Sequence, residues 1–468
     1  MDQNRIFKQL NLESRFAVYH PLAAMLTRLT PFIGFICCSY AILLCLSSNA
    51  APDKNGPKFL VDCGVGDLPP AVIIQTSTPL DLLTSFSLVN GAGQTPLTSA
   101  TVHVTSETRV DMPPVKQGSA IAVDVMTTAG SVQPPLFSWR TIDRAPGHKL
   151  IEYKGSSEFL KPADFSEFWE KARAELKAVP ENARVTRVPD KDSTTGLLYK
   201  VQLDSLENTT IVGWMYVPKA AYNDTQASAP RVSTKFPAII INPGYDHETP
   251  PIDKTAEGYI TFSSNPRNHG PSMAYWKAPV EQFLYNIAVP DKYYYKLADL
   301  DCLRAAQFVL ARPEVEKDRV ACEGSSQGGY FALATAALEP RIHCAVVDLV
   351  AFSDYGDGFL LATIGHHTAI KKFLIDNASS STAIRRSLAL TDGANLATMV
   401  KCPVEINMGG LDPVAPYVCG IAAYNRLASS HKEYHVDPSA THDKTTAISA
   451  WGDTWLRQWL STNVIGQE

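Results

Sequence analysis

The chain has 468 residues, of which 45% are hydrophobic and 19% are charged, a composition typical of a core-forming globular protein. This length allows two or three folded units. The formal net charge of −5 is not gathered into a basic stripe or an acidic tail. No nucleic-acid partner is therefore expected, and a small or neutral polymeric partner is favoured.

Residues 1–50 have the pattern of a secretory signal. An apolar run at 31–46 follows several basic residues and precedes the small-residue stretch SSNAAP, which predicts export and cleavage after Ala50. Met25 is an alternative start. The run is shorter than the about 20 residues of a spanning helix, so an uncleaved anchor or a buried helix is the weaker interpretation. We expect a secreted or periplasmic protein with no stable membrane span after cleavage.

Residues 56–150 are rich in threonine, serine and valine, with partial alternation and with glycine and proline between the runs. This pattern is typical of short antiparallel strands and predicts a small β-sandwich-like accessory domain. A spacer role and a carbohydrate-contacting role both stay open, although no aromatic platform favours the second.

Six cysteines follow the predicted signal, and none of them lies in a CxxC pair. A zinc site is therefore not expected. Most of them are predicted to be small buried hydrophobic residues, and the sequence does not indicate any disulfide pairing. They are Cys63, Cys302, Cys322, Cys344, Cys402 and Cys419.

A helix is predicted within 161–180, where Asp164 or Ser166 can act as the N-cap and aromatic residues recur at helical spacing. Residues 197–218 then predict two or three strands with a turn near Asn208. Further on, apolar strands alternate with helices, which indicates a mostly parallel sheet covered on both faces. The predicted strands are 236–245, 258–270, 342–350, 402–410 and 432–438, and the predicted helices are 297–312 (amphipathic), 416–428 and 444–460.

The stretch Gly324-Ser325-Ser326-Gln327-Gly328 lies between a predicted buried strand and a predicted helix. In a nucleophile elbow, a serine at the centre of Gly-x-Ser-x-Gly sits on a sharp turn that exposes its hydroxyl above the sheet. We therefore predict that Ser326 is a nucleophile. A simple glycine-rich turn is the alternative, and Ser325 is a rival nucleophile without the symmetric glycine spacing.

A serine nucleophile needs a base and an acid, which follow it in the chain order Ser, Asp, His. Asp412 comes after a predicted strand and His442 comes between the last strand and the last helix. The alternatives are a turn-forming aspartate for Asp412 and a loop residue at the helix start for His442. Asp443 is the expected N-cap of the last helix, and His435, inside a strand, is expected to be structural.

An oxyanion hole needs two backbone donors. The N–H of Gln327, directly after the predicted nucleophile, is one candidate. The loop INPGYDHE offers the N–H of Tyr245 as the second, and Gly244 permits a close backbone approach. Asp246 and His247 are expected to be loop structure or substrate contacts.

Four segments together carry a resemblance to the acetyl xylan esterase/cephalosporin-C deacetylase family of α/β-hydrolases. They are PADFSEFWEKARAEL, DKYYYKLADLDCLRAAQFVLARPEVEKDRVACEGSSQGGY, GGLDPVAPYVCGIAAYNRL and THDK. The resemblance covers about residues 160–465 and implies an α/β-hydrolase catalytic domain at 151–468.

The resemblance implies that Ser326 is the nucleophile, His442 the general base and Asp412 its orienting acid, with Gln327 and Tyr245 as oxyanion donors. It also implies removal of acetyl groups from carbohydrate oxygens or from small acetyl esters, without a metal or organic cofactor. Compact members of the family often form rings, so a homo-oligomer is possible.

The chain departs from the family pattern in three places. It has Asn-Pro-Gly-Tyr at 242–245 where His-Gly-Tyr is usual, it matches poorly at 246–292, and Thr441 replaces a glycine. A serine peptidase of the same fold and another short-chain carboxylesterase are alternative functions. A catalytically idle surface-binding protein is a third, although the complete Ser–Asp–His set argues against it.

Overall fold

The computed structural model describes residues 58–62, 71–77, 79–90, 93–111, 120–127, 130–131, 137–140, 157–225, 231–437 and 439–461. The predicted signal at 1–50, with Met25 and Ala50, lies outside the described residues. Cys63 and the predicted domain boundary near residue 150 lie outside them as well.

The N-terminal part of the described chain forms two antiparallel sheets. Its strands are β1 (Lys58–Asp62), β2 (Ala71–Gln75), β3 (Leu80–Asn90), β4 (Gly93–Val104), β5 (Glu107–Asp111), β6 (Ala120–Thr127), β7 (Gly130–Ser131) and β8 (Phe137–Arg140). One sheet has the order β1-β2-β5, and the other has the order β4-β3-β6-β7 with β8 also paired to β6. Val72, Ile74, Leu82 and Phe86 are buried. The β-rich N-terminal region is thus confirmed, while its role as an accessory domain stays a prediction.

The second part is built on one large sheet. Its strands are β9 (Arg184–Arg187), β10 (Gly196–Ser205), β11 (Thr209–Pro218), β12 (Phe236–Asn242), β13 (Ile260–Ser263), β14 (Val315–Ser325), β15 (Cys344–Asp348), β16 (Val404–Gly409) and β17 (Lys432–Asp437). Their order is β17-β16-β15-β14-β12-β13-β11-β10-β9. Neighbours from β17 to β13 run parallel, and β11, β10 and β9 join antiparallel. This confirms the mostly parallel sheet of an α/β-hydrolase.

Helices cover both faces of this sheet. They are α1 (Phe165–Ala178), α2 (Tyr294–Ala311), α3 (Gln327–Leu338), α4 (Tyr355–Leu361), α5 (His366–Asp376), α6 (Ser381–Thr391), α7 (Gly393–Leu396), α8 (Tyr417–Arg426) and α9 (Thr446–Leu460). Because side chains alternate along a strand, Ala238 and Ile240 of β12 join the cluster that includes α3. Ile239 and Ile241 join the opposite cluster with Trp455 of α9.

Helix α1 matches the helix predicted within 161–180. Its apolar stripe is buried, and the indole N–H of Trp169 donates to the Leu390 carbonyl at 3.0 Å. Asp164 directly precedes the helix, but its carboxylate accepts from Arg386 at 2.5 Å and makes no capping hydrogen bond. The aromatic stripe is therefore packing, as its spacing indicates.

Helix α2 is buried along almost its whole length, so its prediction as an amphipathic helix was wrong. Several of its polar side chains are buried and have polar partners. Asp299 accepts from the hydroxyl of Tyr330 at 2.8 Å, and Lys296 lies 2.8 Å from a carboxylate oxygen of Glu175. A charged side chain can be buried when it has a polar partner, so charged residues at helical spacing do not by themselves indicate a solvated face.

The described cysteines do not form disulfides. Cys302, Cys322, Cys344 and Cys419 are buried free thiols, and Cys402 is half-buried. Most of these cysteines therefore behave as the small buried residues that the sequence predicts.

A buried ion pair joins α2 to the chain that follows β13. The guanidinium of Arg267 contacts both carboxylate oxygens of Asp301, at 2.7 Å and 3.0 Å, and both side chains are 0% exposed. Asp301 also accepts from the hydroxyl of Ser205, at the end of β10, at 2.5 Å. Because three separate elements meet here, removing one charge would leave the other buried without its partner.

We expect Arg267→Met to lower the free energy of unfolding by about 3–5 kcal/mol, because it leaves the buried Asp301 carboxylate without its charged partner. Arg184→Met is the matched control, since Arg184 pairs with Asp204 on the surface with its own side chain 45% exposed. That change should cost at most about 1 kcal/mol. Urea unfolding measures both, and equal losses would contradict a special role for the buried pair.

Candidate active site

Ser326 occupies a strained turn between β14 and α3. Its backbone has φ 59° and ψ −121°, a region that residues with a side chain rarely adopt. Main-chain bonds hold the turn: Ser326 N–H donates to the Asp348 carbonyl at 2.9 Å, and the Ser326 carbonyl accepts from Tyr330 at 3.1 Å and from Ala351 at 3.3 Å. This is the geometry of a nucleophile elbow.

The two flanking glycines allow this turn because backbone passes where a side chain would stand. A Cβ on Gly324 would lie 2.3 Å from the carbonyl carbon of Gly328. A Cβ on Gly328 would lie 2.5 Å from the carbonyl oxygen of Asn242, at the end of β12. The spacing Gly-x-Ser-x-Gly therefore follows from two close backbone contacts on either side of the serine.

The structure brings Ser326, His442 and Asp412 together in one hydrogen-bonded chain. Ser326 Oγ lies 2.7 Å from His442 Nε2, and His442 Nδ1 lies 2.6 Å from Asp412 Oδ2. The Asp412 side chain is buried, and its other oxygen accepts from the N–H groups of Val414 and Ala415, each at 2.8 Å. These two bonds fix the carboxylate, and the carboxylate in turn can fix the tautomer of the imidazole.

An ion pair connects the loop that carries His442 to the end of a strand of the large sheet. Lys444 Nζ lies 2.7 Å from Asp348 Oδ2, at the end of β15, and the Asp348 side chain is fully buried. Asp348 also accepts from the amide of Asn407 at 2.9 Å. The same residue thus supports both the Ser326 backbone and the histidine loop. No sequence pattern pointed to this pair.

The N-cap of the last helix differs from the prediction. Thr445 caps α9, where its hydroxyl accepts from the Ile448 N–H at 3.3 Å. Asp443, which was expected to cap, instead accepts from the Thr441 hydroxyl at 2.8 Å. The helix begins at Thr446, so Asp443 lies too far upstream to serve.

Gln327 and Tyr245, the two predicted oxyanion donors, both belong to segments next to Ser326. Gln327 is the first residue of α3, and Tyr245 follows β12 in a loop that lines the same cavity as Ser326. A Cβ on Gly244 would lie 3.9 Å from the Ser325 carbonyl, so the loop runs close beside the elbow. The Tyr245 hydroxyl donates to Glu281, and burial together with that carboxylate raises the pKa of Tyr245.

A buried polar network holds the Gln327 side chain behind the elbow. Its amide oxygen accepts from Gln282 at 2.6 Å and from the Tyr295 hydroxyl at 2.8 Å. Its amide nitrogen lies 2.7 Å from His269 Nε2. Since the amide donates, His269 must be the acceptor and carry its proton on Nδ1, which lies 3.1 Å from the Arg267 carbonyl.

Sequence reasoning missed this network because Gln282 and His269 lie in 246–292, the segment that departs most from the family pattern. Tyr295 could have been noticed, since it belongs to the run of three tyrosines on which the resemblance partly rests.

The cavity above the elbow has a volume of about 940 Å³. Its wall includes Ser326 and His442 and several other polar side chains. Among these are His247, Glu281, Asp443, Lys444 and His366. Of the two residues expected near the oxyanion loop, His247 reaches the wall, where its Nδ1 lies 2.5 Å from the Tyr245 carbonyl.

Glu405, Glu433 and His435 are a cluster, within the described ranges, that could share a cation, with ligand atoms within 4.8 Å of one another. None of the three lines the cavity that contains Ser326. His435 stacks on Trp451 with ring centroids 4.8 Å apart, consistent with its expected structural role. We assign no function to this cluster.

We expect Gly324→Ala to lower the free energy of unfolding by about 3 kcal/mol or more. The three heavy atoms nearest to the added Cβ are all Gly328 backbone atoms, at 2.3–2.8 Å, and no side-chain rotation can relieve these contacts. Gly258→Ala is the control, because Gly258 has φ +84° but nothing within 4 Å of the new Cβ. That change should cost about 1–2 kcal/mol, from the backbone alone. Chemical unfolding compares the two, and a smaller loss at Gly324 would refute the close-contact explanation.

The neutral His269 predicts a dependence of stability on pH. Burial lowers the pKa of His269 from 6.5 to about 4. The unfolded chain therefore binds more protons between these values, and stability falls as the pH drops from about 6.5 to about 4. Over this window the unfolding free energy should fall by about 2–3 kcal/mol more than it does in His269→Gln, which cannot titrate. The other buried histidines are present in both proteins, so their contributions to the pH dependence cancel in the comparison. If the unfolding free energies of the parent and of His269→Gln changed equally with pH, a neutral buried His269 would be contradicted.

A sequence model of the acetyl xylan esterase (AXE1) family matches residues 142–461. The acetyl esterase Axe7A of Xylanibacter ruminicola is 26% identical over 326 residues, which span 65% of this chain and 70% of that protein.

Two solved structures have the same fold over most of the chain. Acetyl xylan esterase 1 from Thermoanaerobacterium sp. JW/SL YS485 superposes with a TM-score of 0.58 at 23% identity, covering 68% of this chain and 99% of that one. An acetyl xylan esterase from Paenibacillus sp. R4 superposes with a TM-score of 0.58 at 25% identity, covering 64% of this chain and 96% of that one. The family model matches more than half of the residues of this chain. The chain therefore belongs to the acetyl xylan esterase family and is a carboxylic ester hydrolase.

Proposed function

We propose that this protein is an exported serine esterase that removes O-linked acetyl groups from carbohydrates. The observation that carries the proposal is the hydrogen-bonded chain from Ser326 through His442 to Asp412, placed at a nucleophile elbow and open to a cavity. The acetylated carbohydrate is taken from the named family and from the acetyl esterase relative.

In the first half-reaction, Ser326 Oγ attacks the acetyl carbonyl carbon while His442 Nε2 accepts its proton. Asp412 stabilises the resulting imidazolium through Nδ1. The negative charge on the carbonyl oxygen is stabilised by the N–H groups of Gln327 and Tyr245, aided by the positive end of the α3 dipole. The bond between the acetyl carbonyl carbon and the sugar oxygen then breaks, and His442 returns the proton to that oxygen as the alcohol leaves.

In the second half-reaction, a water molecule attacks the acetyl-enzyme and gives its proton to His442. Collapse of the tetrahedral intermediate releases acetate and restores the Ser326 hydroxyl. Every proton in this sequence moves between His442 and an oxygen atom. The proposed mechanism therefore requires no metal or organic cofactor.

Export is proposed from the signal-like pattern of residues 1–50, which lie outside the described residues. Among the helices that the structure describes, none combines the length and the apolar character needed to cross a membrane. The homo-oligomer suggested by the family resemblance also stays a prediction.

We expect the full chain to release acetate from acetylated xylo-oligosaccharides, and Ser326→Ala to lower kcat/KM by at least about 10⁴-fold. Ser325→Ala is the matched control, because Ser325 is the neighbouring hydroxyl and His442 bonds Ser326. It should stay within about tenfold of the parent. Acetate release measured by a coupled assay gives all three values.

Two results would contradict the proposal in different ways. If the parent hydrolyses phenyl acetate but releases nothing from acetylated sugars, the carbohydrate substrate is wrong and a short-chain carboxylesterase is left. If Ser325→Ala abolishes activity and Ser326→Ala does not, the nucleophile is wrong.

A further inference from the structure

His366 lines the cavity beside Ser326 but has no part in the proposed proton transfers. It is the first residue of α5, and 8% of its surface is exposed. Its ring lies 4.0 Å from that of Phe352, centroid to centroid, and 4.1 Å from that of His367. A polar ring packed this tightly has a fixed orientation.

The hydrogen bonds of His366 decide which atom that is. The backbone N–H of Phe352 donates to His366 Nε2 at 3.2 Å, so Nε2 must be the acceptor. Burial and the neighbouring His367 and His442 hold the pKa of His366 well below its ordinary value, so the ring is neutral. A neutral imidazole with Nε2 as acceptor carries its single proton on Nδ1. Within the described part of the chain, that N–H has no protein acceptor.

The position of His366 is tied to both ends of the catalytic chain. Ala351 N–H donates to the Ser326 carbonyl, and the next amide, of Phe352, donates to His366. On the other side, Thr363 N–H donates to the Pro413 carbonyl at 2.9 Å, beside Asp412. The chain segments around His366 are therefore hydrogen-bonded both to the elbow and to the acid loop.

We propose that the Nδ1–H of His366 donates a hydrogen bond to an oxygen of the sugar part of the substrate and so favours acetyl esters of polyhydroxylated alcohols. This rests on the proposed function. The acetyl carbonyl oxygen already has two donors there, Gln327 and Tyr245, and the acetyl methyl group has no acceptor. The acceptors left for His366 are the hydroxyl and ring oxygens of the leaving alcohol.

The test compares two substrates that share the acetyl group and differ in the alcohol. Acetylated xylo-oligosaccharides offer oxygens to His366, whereas phenyl acetate offers none beyond its ester group. We expect His366→Leu to lower kcat/KM for the sugar at least about tenfold, because a lost hydrogen bond leaves a substrate oxygen unpaired. For phenyl acetate the same variant should stay within about threefold.

A second variant separates donation from packing. In His366→Asn the amide nitrogen branches where Nδ1 stood, so the donor is kept, while the acceptor for Phe352 is lost. We expect this variant to regain most of the sugar activity even though its unfolding temperature falls about as far as that of the leucine variant. Thr368→Val, on the same helix but outside the cavity wall, should leave both substrates unchanged.

The results distinguish the two proposals. A parent that releases no acetate from sugars overturns the proposed function itself. A parent that does so, with leucine and asparagine variants that lose both substrates in parallel, gives His366 a structural role only and overturns this inference. Unchanged sugar activity in the leucine variant overturns it as well.

Discussion

The catalytic geometry depends on one constraint, the close passage of three backbone segments around Ser326. Gly328 lies against the end of β12 and Gly324 lies against Gly328, at distances that no Cβ permits. Since nothing but main chain fits there, the turn must rise sharply, and its central residue takes a backbone conformation that costs energy. The bonds from Asp348 and Ala351 offset that cost, so the serine hydroxyl is held above the sheet before any substrate arrives.

Around this turn, buried polar groups hold one another in place through hydrogen bonds and an ion pair. Gln327 has partners for both atoms of its amide, and its acceptor His269 is kept neutral by burial. The ion pair between Lys444 and Asp348 holds the histidine loop to the same strand end that supports the serine. Such networks rigidify a site only while every member is satisfied, since an unpaired buried group is costly. The geometry at the reacting atoms therefore depends also on residues such as His269 and Asp348, which take no part in the proposed proton transfers and do not line the cavity.

Much of the fold and of the candidate active site could be predicted from the sequence, because the signals for them are local. Alternating apolar strands and helices predicted the sheet, and the Gly-x-Ser-x-Gly spacing with the order Ser, Asp, His predicted which side chains converge. The failures on α2 and on the network around Gln327 have a common cause in long-range pairing. The buried charges of α2 looked like a solvated face because Arg267, the partner of Asp301, lies 34 positions away in a segment without periodicity. His269 and Gln282 were missed because nothing near them in the sequence indicates what they bond.

The two outer strands of the large sheet limit how copies of the protein can meet. Strand β9 reads RVTR and β17 reads KEYHVD, so each outermost strand of the described sheet carries ionic side chains along its length. Charged edges resist the addition of another strand, because pairing would bury those charges beside a second backbone. Growth of the sheet from one molecule into the next is thus disfavoured at both ends. Contacts between copies of this chain are therefore expected away from the two outer strands of the large sheet.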